Sequence, residues 1–254
     1  MIRSVRIPAR AAAVFACVVL GAACGSSASK GATPVVKVGS TTTQAPTTTE
    51  GPKPYDPTKP INLCCEPGYT KAEETRAETL LRQTIKDLPK YSSPAVAEAA
   101  GYRSIGDALT GDEHFVNWSY VNDGKILDPQ KPESLVFQVR GGKKTVVAAM
   151  YMLPFGSTFK SVPDVGGALT QWHVHRDLCL TDNPLQKIVS SLTTVDGTCP
   201  PGTEKAGNTP MLHVWIIPNQ CGPFAALEGI GAGQVPKGQT RLCDTGHGSP
   251  VTSG

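Results

Sequence analysis

The apolar positions at the start of the folded region, from about residue 63 onward, follow a helical spacing. They fall three or four residues apart, the pattern of an amphipathic helix with one buried face: Ala77, Leu80, Leu81, Ile85 and Leu88. Thr70 and Glu73 form a capping box at the start of this helix. Pro89 ends it, because proline cannot continue a helix.

A second helix is predicted from Ser93 to Gly101, with a serine N-cap, a proline in the first turn and a glycine C-cap. Beyond Gly101 the pattern changes to short apolar and β-branched runs separated by Pro- and Gly-rich turns, which is typical of strands. The predicted strands are residues 115–120, 135–139, 145–153, 169–175 and 211–217.

Helices first and strands later predict an α+β fold. We expect two N-terminal helices followed by a mostly antiparallel β-sheet or a partly open barrel, stabilised by disulfides. One domain over residues 63–254 is long enough to bury a substantial core.

The first 24 residues predict export and lipid attachment. Three arginines precede an apolar stretch, residues 11–23, that is too short to span a bilayer, and small residues then lead directly to Cys24. This order resembles a bacterial lipoprotein signal, in which residues 1–23 are removed and the sulfur of Cys24 is lipidated. The alternative is an ordinary secretory signal that is cleaved near Ala23 and leaves Cys24 free. Both interpretations predict an extracytoplasmic location, and lipidation predicts attachment to the cell membrane.

Residues 24–62 are predicted to form a flexible stalk. Ser, Thr, Pro and Gly offer little apolar surface whose burial could offset the loss of conformational entropy on ordering. The whole chain has 24 Lys and Arg and 21 Asp and Glu, and residues 1–23 hold three of the arginines and no acid. The mature chain therefore has equal numbers of basic and acidic residues. This balance argues against nucleic acid as a partner, which requires clustered basic residues. It leaves the membrane, reached through the lipid, as the predicted partner.

Six of the eight cysteines fall in the folded region, and in an exported protein such a set predicts disulfides rather than free thiols. Their order favours the pairs Cys179–Cys199 and Cys221–Cys243. Each pair closes a loop of about 20 residues, worth roughly 3 kcal/mol in the chain-entropy model. Cys64 and Cys65 are adjacent, so they bond either to each other or to separate partners.

The placement of the histidines is the best sequence indication of chemistry. His173 and His175 lie in one predicted strand, where alternate residues share a face, and Asp177 follows two residues later. His213 lies in another predicted strand, and His114 immediately precedes a third. We therefore expect these side chains to approach one another on one face of the sheet.

Imidazoles spaced in this way can share a metal ion, and a carboxylate can complete or orient the ligand set. The predicted ligands are His173, His175 and His213, with His114 or Asp177 completing the site. Zinc or copper suits a histidine-rich set. An open coordination position would make the site catalytic, and four protein ligands would make it structural or a metal carrier. The alternative is a non-catalytic envelope binding or structural module in which the histidines are structural, and enzymatic activity stays open.

Several longer motifs resemble a group of uncharacterised secreted or lipid-anchored proteins from actinobacteria. They are GDEHFVNW (residues 111–118), LDPQKPESLV (127–136), LTQWHVH (169–175), MLHVW (211–215) and CGPFA (221–225). The resemblance covers about residues 70–247. It implies the extracytoplasmic location and the single domain, and it implies no particular reaction.

Overall fold

The structure, a computed structural model, describes residues 51–63, 68–108, 111–183, 186–219, 221–226 and 235–237, all of which belong to the unit Thr48–Gly254. The predicted signal, Cys24, Cys64, Cys65 and Cys243 lie outside the described residues. Within the described part of the chain, no helix is both long and apolar enough to cross a membrane.

Helix α1 (Lys71–Asp87) begins at a capping box. The Glu73 backbone N–H donates to the Thr70 hydroxyl, and the Thr70 backbone N–H donates to the Glu73 carboxylate. A 3-10 turn at Leu88–Lys90 follows, because the proline in it cannot continue the α-helix. Helix α2 (Pro94–Ala99) is a short helix of six residues with a serine N-cap.

An antiparallel sheet of five strands lies at the centre of the fold, in the order β1-β2-β3-β4-β8. Every neighbouring pair in it is antiparallel, which confirms the prediction of a mostly antiparallel sheet. The strands are β1 (Arg103–Ser104), β2 (Asp112–Val116), β3 (Ser134–Arg140), β4 (Lys143–Met152) and β8 (Met211–Trp215).

The two faces of this sheet have different surroundings, because side chains alternate between faces along a strand. On one face, the hydroxyl of Tyr151 on β4 hydrogen-bonds the hydroxyl of Thr84 on α1 at 2.7 Å, and both side chains are buried. On the other face, Met150 and Met152 of β4 line a cavity. The sheet therefore separates the helical part of the core from this cavity.

A second antiparallel sheet has three strands in the order β6-β5-β7. They are β5 (Leu178–Thr181), β6 (Val189–Leu192) and β7 (Thr203–Lys205). The disulfide Cys179–Cys199 joins β5 to the segment between β6 and β7, as predicted. Cys221 is also disulfide-bonded, but its predicted partner, Cys243, lies outside the described residues.

The predicted fold class needs a correction in two respects. The described fold is mostly antiparallel sheet with few helices, and two N-terminal helices are not supported as a main layer of it, since α2 spans only six residues. The described strands also form two separate sheets, of five and three strands, rather than the partly open barrel that was the predicted alternative.

Two predicted strands also need correction. Residues 169–175 do not form a regular strand: a 3-10 turn occupies Gly167–Leu169, and His173 makes an isolated antiparallel bridge to Met211 of β8. The predicted strand 115–120 ends earlier, as β2, because the chain turns at once, with the Tyr120 N–H donating to the Asn117 carbonyl at 3.0 Å.

Candidate functional site

Four histidine side chains meet on the cavity side of the five-stranded sheet. His114 lies on β2 and His213 on β8, while His173 bridges to the first residue of β8 and His175 follows two residues later. All four are buried. The structure therefore brings together the four histidines that the sequence analysis selects as ligands.

The four imidazole rings form a continuous row. The Nε2 atoms of His114 and His213 are 3.2 Å apart. The His213 ring stacks on the His173 ring, with centroids 4.8 Å apart and planes 17° apart. His173 then meets His175 edge to face at 5.3 Å between centroids. Each ring thus contacts the next along a path that crosses from β2 to β8 and on to the neighbouring irregular segment.

Asp107 fixes the orientation of His114. The His114 backbone N–H donates to one carboxylate oxygen at 2.9 Å, and the ring Nδ1–H donates to the other at 2.5 Å. With Nδ1 protonated, the Nε2 of a neutral His114 accepts a hydrogen bond from the His213 Nε2–H, and the Nε2–H of a charged His114 donates instead. The His114–His213 contact can therefore hold its proton on either ring.

Two opposing effects determine the pKa of His114. Burial lowers this pKa, but the charge and hydrogen bond of Asp107, together with the charges of Asp112 and Glu113, raise it by more, so it lies above its usual value. Burial also raises the pKa of Asp112 to about 6. Folding therefore favours the charged form of His114, which makes an ion pair with the partly buried Asp107.

A cavity of about 580 Å³ lies between the two sheets. Pockets for small molecules have volumes of about 300–1,000 Å³. Most of its lining is apolar and comes from both sheets and the segments between them, including Val116, Trp118, Met150, Met152, Phe155, Leu178, Leu180, Val189 and Met211. Asp107, His114 and His175 also line it, as does the ion pair of Lys187 and Glu204. The arrangement is an apolar chamber with a few convergent polar groups.

The predicted carboxylate, Asp177, has a different setting. Its backbone carbonyl accepts the Thr193 N–H at 2.8 Å as the chain approaches β5. Among the described residues that line the cavity, His175 and Leu178 are present and Asp177 is not. The alternation that groups Asp177 with His173 and His175 requires a regular strand, and this segment is irregular.

Asp107, the carboxylate that contacts the first histidine of the row, is not among the predicted site residues. The signal for it is the β1–β2 hairpin. Ser104 pairs with Phe115 and the Ile105 N–H donates to the His114 carbonyl, so a residue shortly after β1 returns beside the start of β2. An aspartate in that turn therefore faces the first histidine of the next strand.

The histidine row is not a ready-made metal centre. In the described part of the chain, no group of three or more His, Cys, Asp or Glu side chains is placed to hold a metal ion. Stacking of His173 on His213 sets these two rings side by side rather than around a common point.

Comparison of the chain with protein-family models, with curated proteins and with solved structures found no match.

Proposed function

We propose that the extracytoplasmic domain of this protein binds a small, largely apolar molecule in the cavity between its two sheets. The observation that carries the proposal is the cavity itself, with its volume of about 580 Å³ and its mostly apolar lining. Burial of apolar ligand surface there would provide most of the binding free energy, at roughly 25 cal/mol per Å².

The polar groups of the cavity favour a ligand with one acidic group. His114, His175 and Asp107 line the cavity, and Asp107 keeps the pKa of His114 above its usual value. Imidazole N–H groups can donate hydrogen bonds to a carboxylate, sulfonate or phenolate, and burial strengthens such bonds because the surroundings are poorly polarisable. A flat aromatic or aliphatic acid combines an apolar body that fits the cavity with the single acidic group.

A pair of fluorescent probes tests this proposal, since anilinonaphthalene sulfonate and phenylnaphthylamine share one apolar ring system and differ in the sulfonate. We expect both to bind the full-length protein, and the sulfonate to bind at least tenfold more tightly below the raised pKa of His114 than above it. Leu180→Trp, which places an indole in the cavity, should weaken both probes at least tenfold. The affinities are measured by fluorescence titration.

The matched control for this experiment is Val96→Trp, which adds the same side chain at an exposed position of α2 outside the cavity lining. It should leave both affinities unchanged. Near-ultraviolet circular dichroism checks that each variant keeps its packed core. Equal binding to the wild type and Leu180→Trp would place the probes elsewhere and refute the cavity as the binding site.

The location of this domain in the cell is inferred from the sequence. The arginines, the apolar stretch and Cys24 support export and lipid attachment, and the Ser-, Thr- and Pro-rich segment after Cys24 would hold the domain away from the membrane. Two or more acyl chains hold a protein stably at a bilayer, whereas a single chain binds only weakly. A binding domain held in this way would capture its ligand at the cell surface.

Replacement of the lipid-site cysteine tests this location. Cys24→Ala is expected to move the protein from the membrane fraction to the soluble extracytoplasmic fraction, because it removes the sulfur that would accept the lipid. Cell fractionation and detergent partitioning measure the change, and Cys17→Ala is the control. Membrane association that persists in Cys24→Ala would contradict the lipid anchor.

A metal ion at the histidine row is a second candidate function, with zinc or copper as the ion. The specific observation in its favour is the 3.2 Å distance between the Nε2 atoms of His114 and His213. Two imidazole ligands of one tetrahedral zinc ion are about 3.3 Å apart, given Zn–N bonds of about 2.0–2.1 Å. The same distance also fits a hydrogen bond between the rings, so the remaining ligands decide this candidate.

A further inference from the structure

We infer that the cavity face of the five-stranded sheet holds a site for a soft monovalent cation, copper(I), with methionine thioethers and imidazoles as ligands. This inference rests on the second candidate function above and names its ion and its missing ligands. The added ligands are methionines, which are not part of the predicted ligand set of histidines and Asp177.

The methionines of the mature domain are concentrated in one place. The chain has four, and one of them is the initiator. The other three, Met150, Met152 and Met211, are all buried and all line the same cavity. Two histidines, His114 and His175, line it with them.

Strand register places these methionines beside the histidine row. In the pairing of β4 with β8, Met150 lies directly opposite His213, and Met152 lies directly opposite Met211. Met211 is also bridged to His173. Directly opposed residues of antiparallel strands share a face, with Cβ atoms about 4.5–5.5 Å apart. The sulfurs of the three methionines and the imidazoles of His173 and His213 therefore project from neighbouring positions of a single buried patch.

The chemistry of this patch suits copper(I) better than zinc. Thioether sulfur is a soft ligand that selects copper(I), while imidazole accepts both metals. The described histidines and carboxylates supply no set of three ligands around one point, so zinc would lack its preferred donors here. The methionine sulfurs supply the ligands that the imidazole row alone does not.

Burial also favours a monovalent ion. The three methionines are each at most 7% exposed, and His173 and His213 are fully buried. Transfer of a charge from water into such surroundings is costly, and the cost rises steeply with the charge. A singly charged ion bound by neutral sulfur and nitrogen ligands therefore suits this patch better than a divalent ion.

Silver(I), which binds as copper(I) does but is not oxidised in air, provides the test. The full-length protein, with its free cysteines replaced by serine because thiolates bind both ions, is titrated with silver nitrate in chloride-free buffer. We expect one equivalent to bind. The double variant Met150→Leu/Met211→Leu should weaken binding at least tenfold, because it keeps the volume and removes the sulfur. Competition with bicinchoninate measures copper(I) in parallel.

The control is Leu212→Met, a similarly conservative change on β8 at a position of the opposite strand face, which should leave the affinity for silver(I) unchanged. Zinc binding that depends on His213 but not on the methionines, without silver(I) binding, would overturn this inference and leave the second candidate function standing. Silver(I) affinity that is equal in the wild type and the double variant would also overturn it, with the methionines then serving as flexible packing. The absence of silver, copper and zinc binding would overturn both.

Discussion

Asp107→Ala is expected to lower the free energy of unfolding by about 3 kcal/mol where the pH lies below the folded pKa of His114, and by only about 1 kcal/mol where the pH lies above it. Asp107 is the partly buried counter-ion of His114 and accepts its backbone N–H and its ring Nδ1–H. At the lower pH, the variant must either bury an unpaired imidazolium or lose the ring proton. At the higher pH the imidazole is neutral, and the variant loses mainly the hydrogen bonds.

The sign of this pH dependence follows from the raised pKa of His114. A group whose pKa is higher in the folded protein adds stability below its unfolded pKa, here about 6.5. That stability is lost as the pH rises through the folded value. Urea unfolding at several pH values measures the effect. Asp107→Asn, which keeps an acceptor for the backbone N–H, should fall between the wild type and Asp107→Ala at low pH. A cost that does not vary with pH would contradict the ion pair.

Glu133→Gln is expected to stabilise the protein at high pH and to leave its stability unchanged at low pH. Burial raises the pKa of Glu133 to about 7 from its ordinary value of 4.5. The folded protein therefore holds a proton that the unfolded chain releases, and the wild type loses stability as the pH rises from 4.5 through about 7. Converted at about 1.4 kcal/mol per pKa unit, the difference approaches roughly 3 kcal/mol above pH 7.

Glutamine is the informative replacement because it cannot ionise and can keep the native contact. One Glu133 carboxylate oxygen accepts the Met152 N–H at 3.0 Å, and the glutamine carbonyl can accept the same bond. The two proteins should have equal stability at about pH 4 and diverge progressively above it in chemical denaturation. The control, Glu98→Gln at an exposed position of α2, should produce no such divergence. Parallel pH profiles for Glu133→Gln and the wild type would show that Glu133 does not titrate in this range.

The parts of the fold that were predictable from sequence are those that local rules determine. The capping box of Thr70 and Glu73 starts α1 as described, because both partners lie within one turn. Three predicted strands match β3, β4 and β8, where apolar runs lie between clear turns. The pair Cys179–Cys199 follows from chain order.

The remaining parts depend on tertiary surroundings. Residues 171–175 are buried throughout but irregular, so they have the burial of a central strand without its ladder of hydrogen bonds. The short strands β5, β6 and β7 are partly exposed, and their sequences show no strong alternation of apolar and polar residues. For the site, His114 and His213 lie in strands of one sheet, as the strand patterns predict, whereas His173 and His175 reach the site from an irregular segment. The role of Asp107 was not, because it depends on how the β1–β2 hairpin folds back.

The disulfide between Cys179 and Cys199 ties one wall of the cavity to the redox conditions around the protein. Cys179 lies on β5 between Leu178 and Leu180, two residues of the cavity wall. Under reducing conditions the bond is absent, so that wall is not covalently held. If the protein is exported as proposed, the wall would be locked only by oxidation after export, and the cavity would reach its final form in the oxidising compartment.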